Sequence, residues 1–149
     1  MKQAAAQQLG HRIITTGGSS SPSQLIDQAG PAANGSYHLL FFAPWFPETA
    51  PNPEVAKKFV EAWNAKDYNF AGLTEGFRGY DGIMTIAAGI EAAGKAEPKA
   101  IQEALWGVEV DGVNGDISFI KQGPEGCESG QNVPNVYIVK IEDGEVTKP

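Results

Sequence analysis

The sequence is poor in the residues that build metal and redox sites. Cys127 is its single cysteine, and His11 and His38 are its only histidines. One thiol forms no internal disulfide and no Cys-based zinc site, and neither histidine has a Cys, Asp or Glu at metal-ligand spacing, so a structural or exposed role is expected for both. Basic residues are also scarce: 11 Lys and Arg face 18 Asp and Glu, a formal charge of -7. That balance excludes a nucleic-acid groove and a polybasic membrane patch, leaving small molecules or proteins as partners. Long apolar runs are missing as well. The longest, residues 37–45, contains His38 and Pro44 and falls far short of the roughly 20 residues that span a bilayer, so no direct membrane span is expected. Residues 1–8 are polar, without the apolar centre of about 7–15 residues that a secretory signal needs. Neither a phosphate-cradling glycine motif nor a Gly-x-Ser-x-Gly elbow occurs, which argues against nucleotide binding and serine-hydrolase chemistry.

What is present is turn chemistry. With 18 Gly, 10 Pro and 42% apolar residues in 149 positions, the composition suits a folded, turn-rich domain or a piece of a larger one. Residues 2–9 read as a helix stopped by Gly10, and 11–16 as a short buried strand around Ile13 and Ile14. A helix that begins uncapped at Met1 reads as the tail of a longer one, and an upstream truncation is expected. Ser21 and Pro22 then mark a helix start, with Leu25, Ile26 and Ala29 on one face and Gly30 as its end. Residues 37–42 are apolar almost without interruption, the pattern of a parallel strand covered on both faces. Pro44, Pro47 and Pro51 make the next stretch a connector, with Trp45 and Phe46 as plugs of a core. Asn52 and Pro53 open a helix with Val55, Phe59, Ala62 and Trp63 inward and Lys57, Lys58 and Glu61 outward.

Residues 73–79 read as a glycine-rich turn carrying Glu75, Phe77 and Arg78, followed by a helix over 80–93 that is apolar all round and therefore buried between neighbours. Asp81 is expected to favour the start of that helix through the dipole. Pro98 opens a further helix with Ala100, Ile101, Ala104 and Leu105 inward, ended by Gly107. Asp111-Gly112 and Asn114-Gly115 signal turns, 117–120 and 136–141 strands, and Asp143-Gly144 a closing hairpin. The sum is an α/β chain. Its first candidate site is the Gly17-Gly18-Ser19-Ser20-Ser21 loop, which leaves a strand and enters a helix, the place where open α/β sheets bind ligands.

Taken in order, these segments resemble the C-terminal part of type I periplasmic solute-binding proteins, the branched-chain amino acid receptor family of ABC transporters. The resemblance rests on Ile13-Ile14-Thr15-Thr16-Gly17-Gly18 leading to Pro22, and on Ala32-Ala33-Asn34-Gly35-Ser36-Tyr37. It continues with Tyr80-Asp81-Gly82-Ile83 at the head of a long helix, Gly112-Val113-Asn114-Gly115-Asp116-Ile117, and Val136-Tyr137-Ile138-Val139-Lys140. It implies a partial type I periplasmic-binding-protein fold: segments of two open, doubly wound α/β lobes joined by hinge crossovers that close on a small solute. On that map 1–36 belong to the C-terminal lobe, 37–44 to a hinge crossing, 45–112 to the N-terminal lobe, and 113–149 to the return crossing and the C-terminal lobe.

The resemblance further implies no enzymatic chemistry and no cofactor. It implies a small polar solute as ligand (amino acid, amide or carboxylate), an ABC transporter permease as partner, and a periplasmic protein or extracellular lipoprotein. Ligand contacts fall by position on Gly18, Ser19, Ser20, Glu75 and Phe77. Amino-acid receptors of the family carry an acidic residue where this chain has Gly18, so either Glu75 meets a ligand ammonium or the ligand has no amine. Cys127 sits in a segment longer than the family's turn, and its partner would lie outside the chain. A ligand-sensing module of the same fold and a small stand-alone flavodoxin-like protein or enzyme are the alternatives. The isolated chain is expected to be poorly cooperative or oligomeric through apolar faces such as Val55, Phe59 and Trp63.

Overall fold

The computed structural model describes residues 1–16 and 21–148. Residues 22–29 behave as their sequence dictates. Ser21 stands at the N-cap in an extended conformation, its N–H donating to Gln24 Oε1 at 3.4 Å, and α2 (Pro22–Ala29) ends at Gly30, whose φ of 57° is open to glycine. Before it come α1 (Lys2–Ala6) and β1 (Ile14–Thr16), both shorter than predicted.

β1 pairs in parallel with β2 (Tyr37–Leu40), setting Thr16 beside Leu39. β2 in turn pairs antiparallel with β7 (Tyr137–Glu142), and β7 with β8 (Glu145–Thr147). The sheet is therefore mixed. Alternation puts His38, Leu40, Val139 and Ile141 on one face and Ile14, Leu39 and Ile138 on the other. The first set is buried; Ile14 and Ile138 are 64% and 55% exposed. The expectation of a strand covered on both faces is thus corrected among the described residues, because the second face of this sheet carries no layer.

The chain then leaves the sheet. Leu40 and Ala43 pack with Val139, Trp45, Phe46 and Tyr137, whereas Phe42 belongs to a second core with Ala56, Phe59, Leu73, Phe77 and Val113. The second core is built by α3 (Pro53–Asn64) and α4 (Leu73–Ala93). Phe42 meets Phe59 and Phe77 at 6.0 and 5.7 Å between ring centroids, and each buried Phe contributes roughly 1.5–3 kcal/mol of burial free energy. Phe59 is buried and Trp63 packs beside it, so the exposed apolar face expected there is absent, and Ala62 faces outward.

α4 differs most from its prediction. It is 21 residues long and starts at Leu73, so Glu75, Phe77 and Arg78 lie in its first turns rather than in a loop. Of the two glycines that suggested a loop, Gly76 has a packing role, since a Cβ there would stand 2.5 Å from the Trp63 ring; Gly72, just before α4, is similarly close at 2.8 Å, and Gly79 meets nothing within 4 Å. Helix propensity is overridden by the fit of an indole against a bare backbone. Nor is the helix buried all round. Asp81, Thr85 and Gly89 face inward, while Ile83, Met84 and Ile86 lie 68%, 44% and 49% exposed.

α5 (Pro98–Ala104) runs into a 3-10 turn at Leu105–Gly107. Two short strand pairs follow: β3 (Val110–Gly112) with β4 (Gly115–Ile117), then β5 (Ile120–Gln122) with β6 (Ser129–Gln131). Asp111 and Gly112 are thus strand residues, the turn being Val113-Asn114, and the strand predicted over 117–120 is interrupted at Ser118 and Phe119. Cys127 is exposed in the β5–β6 loop. Among the described residues no helix is long and apolar enough to cross a membrane.

Candidate functional site

β1 and β2 run in parallel, so their carboxyl ends, Thr16 and Leu40, lie at the same edge of the sheet. This is the edge at which open α/β sheets place ligands. The candidate contacts Gly18, Ser19 and Ser20 lie outside the described residues. Glu75 and Phe77 come from the other core, on α4.

One side chain ties three separate stretches of chain together here, at Phe41, Asn114 and Asn135. Asn114 Nδ2 donates to the Phe41 carbonyl and to the Asn135 carbonyl (3.1 Å), while its Oδ1 accepts from the Asn135 N–H at 2.8 Å. Asn135 reciprocates, its Nδ2 donating to the Asn114 carbonyl at 2.7 Å. Gly115 permits this contact: its φ is 113°, and a Cβ would meet Asn135 Nδ2 at 2.6 Å. Next to it Asp81, buried, takes the Val113 N–H at 2.8 Å. Burial pushes its carboxyl above the ordinary aspartate range, against the lowering effect of the Val113 and Asn114 N–H groups. Asp81 therefore holds the β3–β4 turn from mid-helix and does not serve the helix start, since α4 begins at Leu73, eight residues before it.

Phe41, Phe77, Arg78, Asp81, Asn114 and Asp116 border a cavity of about 270 Å³ beside this knot. Phe77 is 5% exposed and forms its floor. The Arg78 guanidinium lies 4.7 Å from the centroid of the Phe41 ring and 5.3 Å from that of Phe77, within cation–π reach of both. Its Nε donates to Glu75 Oε2 at 2.6 Å. Glu75 and Phe77 are thus brought together with Arg78. Arg78, Phe41, Asn114 and Asp81 were not among the predicted contacts; the signal for Arg78 was its place three residues after Glu75, which on a helix makes an ion pair.

The model of the family described as periplasmic binding protein matches residues 1–145. The chain belongs to the periplasmic binding protein family. Among solved structures, a leucine-binding protein from Thermotoga maritima is similar to it at 28% identity and a TM-score of 0.72, over 97% of this chain and 38% of that one. An extracellular ligand-binding receptor from Rhodopseudomonas palustris shares the fold at 19% identity and a TM-score of 0.75, over 98% of this chain and 43% of the receptor. A solute-binding protein of an ABC transporter from R. palustris, solved in complex with benzoate, does so at 20% identity and a TM-score of 0.64, over 98% and 37%. Among the curated proteins none matches. This periplasmic-binding-protein chain therefore carries a partial type I fold and spans about two fifths of the length of the structures it matches.

Proposed function

We propose that this chain is part of an extracytoplasmic receptor that binds a small polar solute and hands it to the permease of an ABC importer. The observation that carries the reading is the family match over residues 1–145, made by a chain whose two cores are joined at a knot of crossing segments. The solute is an amino acid, amide or carboxylate, and the receptor binds it without altering it. Its place is the periplasm, or the outer face of a membrane as a lipoprotein.

In this reading residues 1–36 and 113–149 belong to the C-terminal lobe, 37–44 to a hinge crossing and 45–112 to the N-terminal lobe. What favours the division is that Leu40 and Ala43 pack in one core while Phe42, between them, packs in the other. Gly18, Ser19 and Ser20 approach the solute from one lobe and Glu75 from the other, with Phe77 as the wall behind it.

Binding is tested by thermal shift of the chain against a panel of amino acids, their amides and small carboxylates. A solute that binds only the folded state adds about 2.7 kcal/mol at 100 times its Kd. A raised midpoint with one or more members is expected; no shift with any of them overturns the reading.

A further inference from the structure

Resting on that reading and deepening it, we infer that Arg78 is the anchor for the solute's carboxylate and that the cavity beside the crossing knot selects monocarboxylates. The polar groups of the wall are accounted for almost entirely within the chain. Asp81 Oδ1 accepts from the Val113 N–H, both ends of the Asn114 amide are engaged by Phe41 and Asn135, and Asp116 Oδ1 accepts from Asn52 Nδ2 at 2.9 Å. Arg78 differs. Only its Nε is engaged, by Glu75; its two terminal nitrogens donate to nothing among the described residues.

The Arg78 side chain is 48% exposed, and two kinds of contact orient it. The ion pair to Glu75 fixes one edge of the guanidinium, and the Phe41 and Phe77 rings flank it at 4.7 and 5.3 Å. These contacts lower the side-chain entropy that a ligand's arrival would cost. A guanidinium with one edge fixed offers a fork of parallel N–H groups, the geometry that receives a carboxylate in two hydrogen bonds. A cavity of about 270 Å³ suits a solute of amino-acid size.

The same contact reassigns Glu75. Its Oε2 is already paired with Arg78 at 2.6 Å, so it positions the anchor, and only Oε1 is left to receive an ammonium. Asp81 and Asp116 on the wall set the specificity. A second negative charge on the solute would meet them without a compensating cation, and like-charge juxtaposition is costly in a partly desolvated site. A hydrogen-bond donor beside the solute's carboxylate would meet their unused lone pairs.

The test uses the full chain and matched acid and amide pairs: L-leucine with leucinamide, benzoate with benzamide, and 4-methylpentanoate with its amide, together with glutarate. Dissociation constants are measured by calorimetry for wild type, Arg78→Met and Arg78→Lys, with each variant's fold checked by its circular dichroism melt. At least one acid is expected to bind about tenfold or more tightly than its amide, a gap of 1.4 kcal/mol, with glutarate weaker still. Arg78→Met closes the gap, and Arg78→Lys, which keeps the charge but not the fork, narrows it. Equal binding of acid and amide in wild type, or a gap that survives Arg78→Met, overturns the anchor while leaving the receptor reading intact. Failure of every compound to bind overturns both.

Discussion

Asp81 Oδ1 accepts the backbone N–H of Val113 at 2.8 Å, a bond between residues 32 positions apart that joins the middle of α4 to the β3–β4 turn. A buried N–H with no other acceptor depends on it, so Asp81→Ala is expected to cost about 1–3 kcal/mol, read from urea denaturation. Asp81→Asn keeps an acceptor and removes the buried charge. Because burial holds this carboxyl above its ordinary range, its contribution is full below the unfolded value of about pH 3.9 and is lost as the pH rises through the folded one. Asp81's contribution therefore falls with rising pH across that window, and the stability difference between wild type and Asp81→Asn changes with pH accordingly. An unchanged profile in the Asn variant would remove Asp81 as its source.

The Asn114 knot makes a second prediction. Asn114→Ala strands the Phe41 carbonyl, the Asn135 N–H and the Asn135 carbonyl, and a loss of at least about 1–3 kcal/mol is expected. The double variant with Asn135→Ala is expected to show a coupling of about 0.5–3 kcal/mol. Additive losses would mean that the two amides do not act as a unit.

Gly76 and Gly82 are a matched pair on α4. Replacing either by Ala gains helix propensity of about 0.8–1 kcal/mol. At Gly82 nothing lies within 4 Å of the new methyl, and stabilisation is expected; at Gly76 the methyl meets Trp63 at 2.5 Å, and overpacking of about 1–3 kcal/mol reverses the sign. Thermal melts of the two variants decide it. A stabilised Gly76→Ala would show that the indole moves aside at no cost.

His38 is buried between Thr15 Oγ1, 2.6 Å from its Nδ1, and Ser36 Oγ, 2.8 Å from its Nε2. Ser36 gives its own proton to the Ala33 carbonyl, so Nε2 carries the imidazole hydrogen and Nδ1 accepts from Thr15. Burial lowers the His38 pKa. A histidine kept neutral by the fold contributes stability above the unfolded value of about 6.5 that is lost as the pH falls toward the folded one. Stability is expected to decline below about pH 6.5 and to do so less in His38→Gln. An identical acid limb in both proteins would exclude His38 as the cause.

Ile83, Met84 and Ile86 on α4 leave an apolar strip open, as Ile14 and Ile138 do on the sheet. Contiguous apolar patches of this kind drive association. Light scattering is expected to show the mean mass of the chain rising with concentration, and Ile83→Lys with Ile86→Glu to reduce it. A monomer at all concentrations would contradict this.

The sequence by itself determined the punctuation and the family. Ser21-Pro22 and Gly30 bounded α2, Pro53 opened α3, Asp143-Gly144 closed the last hairpin, and the order of these segments was enough to identify a periplasmic binding protein, because caps, prolines and turn glycines act within a few residues of themselves. As candidates, Glu75 and Phe77 were readable by position. Their setting was not. That Gly72 and Gly76 fit their helical turns depends on Trp63, that Asp81 serves a turn depends on Val113, and that Arg78 stands between Phe41 and Phe77 depends on a segment 37 residues before it, at Phe41. Local pattern cannot carry such information, since each of these groups takes its role from a partner that only the tertiary fold brings within van der Waals or hydrogen-bond distance.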